Sequence, residues 1–217
     1  MSKESIVSIT EENEIVIYAE IGYMEGLSQS STMEIHRQYE ATLKSGSRCR
    51  VRKTTKDDEV SYTYTLKNSN AEFSNVSGST EYNIEVDQSL FEGFKEAADR
   101  LTKKRRYTFL HNLKIIVGDK SITIKNVKYE VDVFFLLDGR AARELSAKWC
   151  KIDIEIDAIN EYLEENYPDE DELKFTISVS DLPFKPKNPI MKSTATEEQK
   201  AKINELWEHE FSTQLVS

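Results

Sequence analysis

Arg48, Arg50 and Arg52 alternate with Cys49 and Val51, and elsewhere in the chain carboxylates occupy the same kind of alternation. Glu130 and Asp132 alternate with Tyr129, Val131 and Val133, and Asp153 and Glu155 alternate with Ile152, Ile154 and Ile156. Glu81, Asn83 and Glu85 share one face opposite Tyr82, Ile84 and Val86, and Thr63, Thr65 and Lys67 face away from Tyr62, Tyr64 and Leu66. A repeat of two places all the charges on one side of a half-buried strand. Arginine forks suit phosphate oxygens, and paired carboxylates suit hard divalent cations such as Mg²⁺ or Mn²⁺. If the charged faces turn inward, the chemistry they can do is to hold a polyphosphate together with the metals that neutralise it.

The strands that must position these residues can be read along the chain. Residues 5–23 read as a β-hairpin around the polar turn TEENE, and 33–43 as a further strand. RCRVRK and VSYTYTLK form a meander about KDDE, and EYNIEV follows a polar stretch. Asp87 or Ser89 can cap a helix reaching about Lys103, with Leu90, Phe91, Phe94, Ala97, Ala98 and Leu101 on one face. RRYTFLHNLKIIV, SITIKNV and YEVDVFFLL are strands, GRAARELSA reads as helical, CKIDIEI as a strand and AINEYLEENY as a helix. LKFTISVS is a last strand and LPFKPKNP a linker. A C-terminal helix with Thr194 and Glu197 as its capping box carries an apolar stripe of Ile203, Leu206, Trp207 and Phe211.

LTKKRRYTF admits two registers. Placing Lys104 and Arg106 on the charged face sends Tyr107 and Phe109 to the apolar face, in keeping with the other strands. The charged face then holds Arg48, Arg50, Arg52, Lys67, Lys104 and Arg106 opposite Glu81, Glu85, Glu130, Asp132, Asp153 and Glu155.

Composition sets the limits. The 217 residues suffice for one packed domain, with 38% hydrophobic and 31% charged residues. No apolar run is long enough for a membrane span, and the first residues lack the apolar core of a secretory signal. Cys49 and Cys150 make no disulfide framework and fall on apolar faces, so a cytoplasmic setting is expected. A formal charge of −10 argues against duplex nucleic acid as a partner, and the cations concentrated in two strands argue for a compact anion.

In this order, RCRVRK, YTYTLK, EYNIEV, KKRRYTF, YEVDVF and DIEI resemble the CYTH domains of the triphosphate tunnel metalloenzymes over residues 33 to 157. That family includes inorganic triphosphatases, thiamine triphosphatases, class IV adenylyl cyclases and RNA 5′-triphosphatases. The resemblance implies an α+β fold built on an eight-stranded antiparallel β-tunnel with flanking helices. Residues 1–182 would form the tunnel domain and 183–217 a linker and C-terminal helix packed on it. Arg48, Arg50, Arg52, Lys67, Lys104 and Arg106 would bind a triphosphate. Glu34, Glu81, Glu130, Asp132, Asp153 and Glu155 would hold Mg²⁺ or Mn²⁺, with Glu130, Lys104 and Arg106 at the reaction itself.

The chain departs from the family pattern in its first strand. There Glu34-Ile-His36-Arg-Gln38 stands in place of Glu-x-Glu-x-Lys, and Asp153 stands where Glu is usual. The expected function is metal-dependent hydrolysis of tripolyphosphate or of a nucleotide or organic triphosphate. The alternatives are a non-catalytic binder of such an anion, a cyclase and an RNA 5′-triphosphatase. The expected partner is a small triphosphate-bearing ligand, with no duplex and no membrane, and a homodimer is left open. In an empty tunnel, replacing Arg50 by Ala is expected to leave stability unchanged or raise it by relieving like-charge crowding.

Overall fold

The computed structural model describes residues 7–21, 31–44, 47–69, 77–137, 144–168, 175–179, 182 and 185–215, without the side chains of 7–13, 67–69, 77–80, 136–137 and 144–146. Its strands are β1 (Val7–Glu20), β2 (Thr32–Thr42), β3 (Arg48–Lys56), β4 (Glu59–Ser69), β5 (Ser77–Glu85), β6 (Arg100–Val117), β7 (Lys120–Leu137), β8 (Glu144–Glu155), β9 (Phe175–Ile177), β10 (Lys187–Met191) and β11 (Thr213–Gln214). The helices are α1 (Gln88–Phe94), α2 (Asp157–Asn166) and α3 (Glu197–His209). The fold is α+β, an antiparallel sheet with flanking helices.

The expected eight-stranded tunnel is corrected by the strand pairing. Among the described residues the sheet has 11 strands, its path running β10-β1-β5-β4-β3-β2-β6-β7-β8, with β9 and β11 attached to β6. β1 meets its neighbours in two successive halves rather than along its length. Residues 7–14 lie on β5, while residues 14–20 lie on β8 and residues 17–20 also carry β10. TEENE is therefore extended strand and not a hairpin turn. Each half of β1 satisfies its backbone groups on a different distant strand, which a local turn would have prevented.

Three other local expectations give way to tertiary pairing, and a fourth shifts along the chain. α1 ends at Phe94, just past Gly93, and the chain from Arg100 is strand because Leu101 to Lys103 pair with Tyr39 to Arg37 of β2. Glu144 onward is strand, paired with β7, where a helix was expected; residues 138–143 lie outside the described ones. Lys187 onward is strand on β1 instead of linker. The capping box of α3 is Thr196 with Gln199, two residues beyond the expected pair. The KDDE turn is as expected: Asp57 and Asp58 have φ of 47° and 68°, the left-handed pair a two-residue hairpin requires.

Three apolar clusters are buried among the described residues. α2 buries Ile159 and Leu163 against Ile17, Leu113, Ile115, Tyr129 and Ile152. α1 buries Phe91 against Tyr39, Val51 and Leu101. Both clusters lie on the face opposite the charges. The third lies on the charged side, where Val16 and Tyr18 of β1, Phe134 of β7 and Trp149 of β8 receive Ile203, Leu206 and Phe211 from α3 and its end. One face of the sheet is thus charged along most of its length and apolar where α3 docks.

Candidate functional site

Alternation puts the arginines of β3 on the face away from Val51, and the sheet curls so that polar side chains on this face are buried. His36, Gln38, Thr65, Glu81, Thr102, Lys104, Asp132 and Asp153 are all at most 6% exposed. Of the two registers open to β6, the chain adopts the one with Lys104 and Arg106 among these residues and Tyr107 and Phe109 against the α2 cluster. Buried charges persist only when paired and hydrogen-bonded, and here the pairing is internal.

Asp132 is the centre of that pairing. It accepts from Lys104 Nζ at 2.5 Å and from Arg106 Nε and Nη2 at 2.8 Å each. Although burial alone would raise its pKa, Arg106 and then Lys104 hold the Asp132 carboxyl well below the usual range. Arg106 also pairs with Glu130 and lies 3.8 Å from Asp153. Against the effect of burial, Asp132 and then Glu130 hold the Arg106 guanidinium well above its ordinary value. Lys104 moves the other way. Burial and the neighbouring Arg106 bring it down to about 7, which Asp132 only partly offsets.

Arg50 Nη2 donates to both oxygens of Glu81, at 3.2 and 3.1 Å. Arg52 donates from Nε to Gln38 Oε1 at 2.9 Å; burial, then Arg50 and Arg106, lower it to about 9. His36 Nε2 lies 3.0 Å from Glu34 Oε2, and its Nδ1 is buried without a partner among the described residues. Burial and the charges of Lys104 and Arg52 push His36 down to about 2, so its imidazole is neutral near pH 7 and only weakly basic. Thr65 donates to Asn83 at 2.7 Å.

The structure therefore gathers Arg50, Arg52, Lys104, Arg106, Glu81, Glu130, Asp132 and Asp153 on one enclosed face, with Glu34 and Glu155 partly exposed at its margin. Arg48 and Glu85 are exposed at strand ends. The register sets Lys67 beside Arg48 and Glu81, and its side chain lies outside the described ones.

Two basic residues of this face were absent from the sequence reading. Lys151 lies 2.7 Å from Asp153 and 3.5 Å from Glu14, and Asp153 and Glu14 raise its pKa against burial. Lys128 reaches Glu155 at 2.5 Å and Glu130 at 3.2 Å. Both share strand parity with the carboxylates already singled out, so the signal was present in the alternation. Tyr18 was also missed; its hydroxyl takes the indole N–H of Trp207 at 3.1 Å beside Lys151.

The carboxylates do not fit a divalent metal as they stand. Asp132, Glu130, Asp153 and Glu155 each carry at least one Lys or Arg contact. Among the described residues no group of three His, Cys, Asp or Glu side chains could hold a metal ion. What the arrangement can do is bind an anion by exchanging internal carboxylates for external oxygens.

No protein-family model and no curated protein matches the chain. Solved structures resemble it over most of its length. PH1012 from Pyrococcus horikoshii OT3 is 18% identical, with a TM-score of 0.41 over 74% of this chain and 94% of that one. PH1819 from the same organism is 16% identical, with a TM-score of 0.40 over 70% and 85%. The inorganic triphosphatase NE1496 is 18% identical, with a TM-score of 0.34 over 84% of this chain and 95% of that one.

Proposed function

We propose that the enclosed charged face binds the triphosphate group of a small molecule, either tripolyphosphate or a nucleotide or organic triphosphate. The observation that carries this reading is the set of four cations, Arg50, Arg52, Lys104 and Arg106, brought from β3 and β6 onto one curled face. Several cations are needed because three of the four, Arg50, Lys104 and Arg106, are already paired with carboxylates. A monoanion offers too few oxygens to replace Asp132 on Arg106 and Lys104 together, whereas a triphosphate supplies several in a row. The order of the six charged motifs supports the same ligand class.

Hydrolysis of that triphosphate is the second reading. It is favoured by the β7–β8 register, which sets Glu130 opposite Asp153 and so groups the carboxylates of two adjacent strands. Anion binding is measured by calorimetry with tripolyphosphate, ATP and thiamine triphosphate in EDTA. Turnover is measured by phosphate release with Mg²⁺ or Mn²⁺ added. Binding without release makes the protein a binder, release makes it a triphosphatase, and no binding of any of the three rejects the proposal.

A further inference from the structure

We propose that Gln38 is a positioning residue for anion binding, whose amide holds Arg52 by its Nε–H and separates that guanidinium from the Glu40 carboxylate. The inference rests on the triphosphate-binding reading and concerns how one of its cations is kept available.

The geometry sets Arg52 apart from its neighbours. Arg50 is paired with Glu81, and Lys104 and Arg106 with Asp132. Arg52, among the described residues, hydrogen-bonds the neutral Gln38 and no carboxylate. Gln38 lies directly opposite Arg52 across β2 and β3 and is only 3% exposed, so its amide has little freedom to turn. Its Nε2 donates to Glu40 Oε1 at 3.4 Å. The amide orientation is fixed from both sides. Guanidinium Nε–H can only donate and so demands the amide oxygen; carboxylate oxygen can only accept and so demands the amide nitrogen.

This neutral spacer has two consequences. The Nε donor is satisfied without cancelling the positive charge, which leaves the two Nη groups for a forked contact with phosphate oxygens. Glu40 is meanwhile engaged at the far end of the amide. A carboxylate at position 38 would itself take the guanidinium and supply the internal anion that Arg50, Lys104 and Arg106 already have. The amide thus maintains a difference in readiness among four cations that the sequence alone presents as equivalent. A phosphoryl group arriving at Arg52 has no internal carboxylate to displace.

The test is a double-mutant cycle read by tripolyphosphate affinity in EDTA, using calorimetry on the full chain. Gln38→Glu should weaken binding by about tenfold or more, as expected when a charge-assisted contact is lost. Gln38→Met keeps the volume and removes the acceptor, and should weaken binding by about threefold to tenfold. In an Arg52→Ala background Gln38→Met should fall within about twofold of no effect, because the group it acts through is gone, while Gln38→Glu should keep only the direct repulsion between its added charge and the anion. A purely structural role for Gln38 would persist undiminished in that background and would overturn the inference. Unchanged affinity in both single variants would overturn it as well. If Gln38→Glu fails to fold, Gln38→Met decides the same question. Loss of binding in Arg52→Ala with unchanged Gln38 variants rejects this inference alone. A wild type that binds no tripolyphosphate rejects it together with the binding reading.

Discussion

Arg106 holds Asp132 through two parallel hydrogen bonds, Nε to Oδ1 and Nη2 to Oδ2, each 2.8 Å long. Asp132 is fully buried, so this pair is held outside the reach of solvent screening. Among the described residues, replacing Arg106 by Ala leaves Asp132 with Lys104 alone and Glu130 with Lys128 alone. The loss should be about 3–5 kcal/mol, the range for orphaning a buried charge. Urea unfolding of Arg106→Ala beside Arg106→Ala/Asp132→Asn checks it, and the second variant should recover a substantial part of the loss.

Arg50→Ala should also destabilise the protein, contrary to the expectation for an empty cationic cavity. Glu81 is 3% exposed, and Arg50 donates to both of its oxygens. The cost of leaving it without that partner is about 1–3 kcal/mol. Arg50→Ala/Glu81→Gln should restore stability without restoring anion affinity. Denaturation curves and calorimetry on the same samples separate the two effects.

Lys104 gives a pH signature. Its folded value of about 7 lies below the ordinary lysine value, so between them the unfolded chain binds more protons than the folded one. The contribution of this group to stability therefore rises with pH through that window, and its cost is fully present below about 7. Lys104→Met should consequently be most favourable relative to wild type below that pH and lose this advantage at high pH. A bound anion adds negative charge beside Lys104 and raises its pKa. Tripolyphosphate binding at pH 8 should then take up protons, which calorimetry in buffers of different ionisation enthalpy measures directly.

His36 contributes in the acid range. Its value of about 2 lies far below an ordinary histidine because burial and the charges of Lys104 and Arg52 oppose protonation. The unfolded chain takes up this proton near pH 6.5, so stability falls as pH drops from there towards 2. His36→Gln should move the acid-unfolding midpoint to lower pH. An unchanged or higher midpoint, followed by circular dichroism, counts against the assignment.

Leu206 of α3 is fully buried among Val16, Tyr18, Phe134 and Phe211. Leu206→Ala should cost about 2–5 kcal/mol in thermal or urea unfolding. Trp207 fluorescence, sensitive to its contact with Tyr18, should report the loosening of the helix.

The sequence by itself determined the strand faces, because a repeat of two leaves no freedom once one face is apolar. Arg50, Arg52, Glu130, Asp132 and Asp153 were placed on the charged side by this rule alone, and the same rule resolved the register of β6. Lys128 and Lys151 obey it too and were legible in principle. Only the tertiary structure decided who pairs with whom. TEENE carries local turn chemistry but is held extended by β5 and β8. Residues 100–103 were expected to continue the helix but are claimed by β2. The decisive gap was electrostatic. Alternation counts cations and carboxylates, but it carries no distances between strands far apart in the chain. The internal neutralisation centred on Asp132, and the neutral amide that leaves Arg52 outside it, depend on those distances and therefore emerge only when the sheet curls.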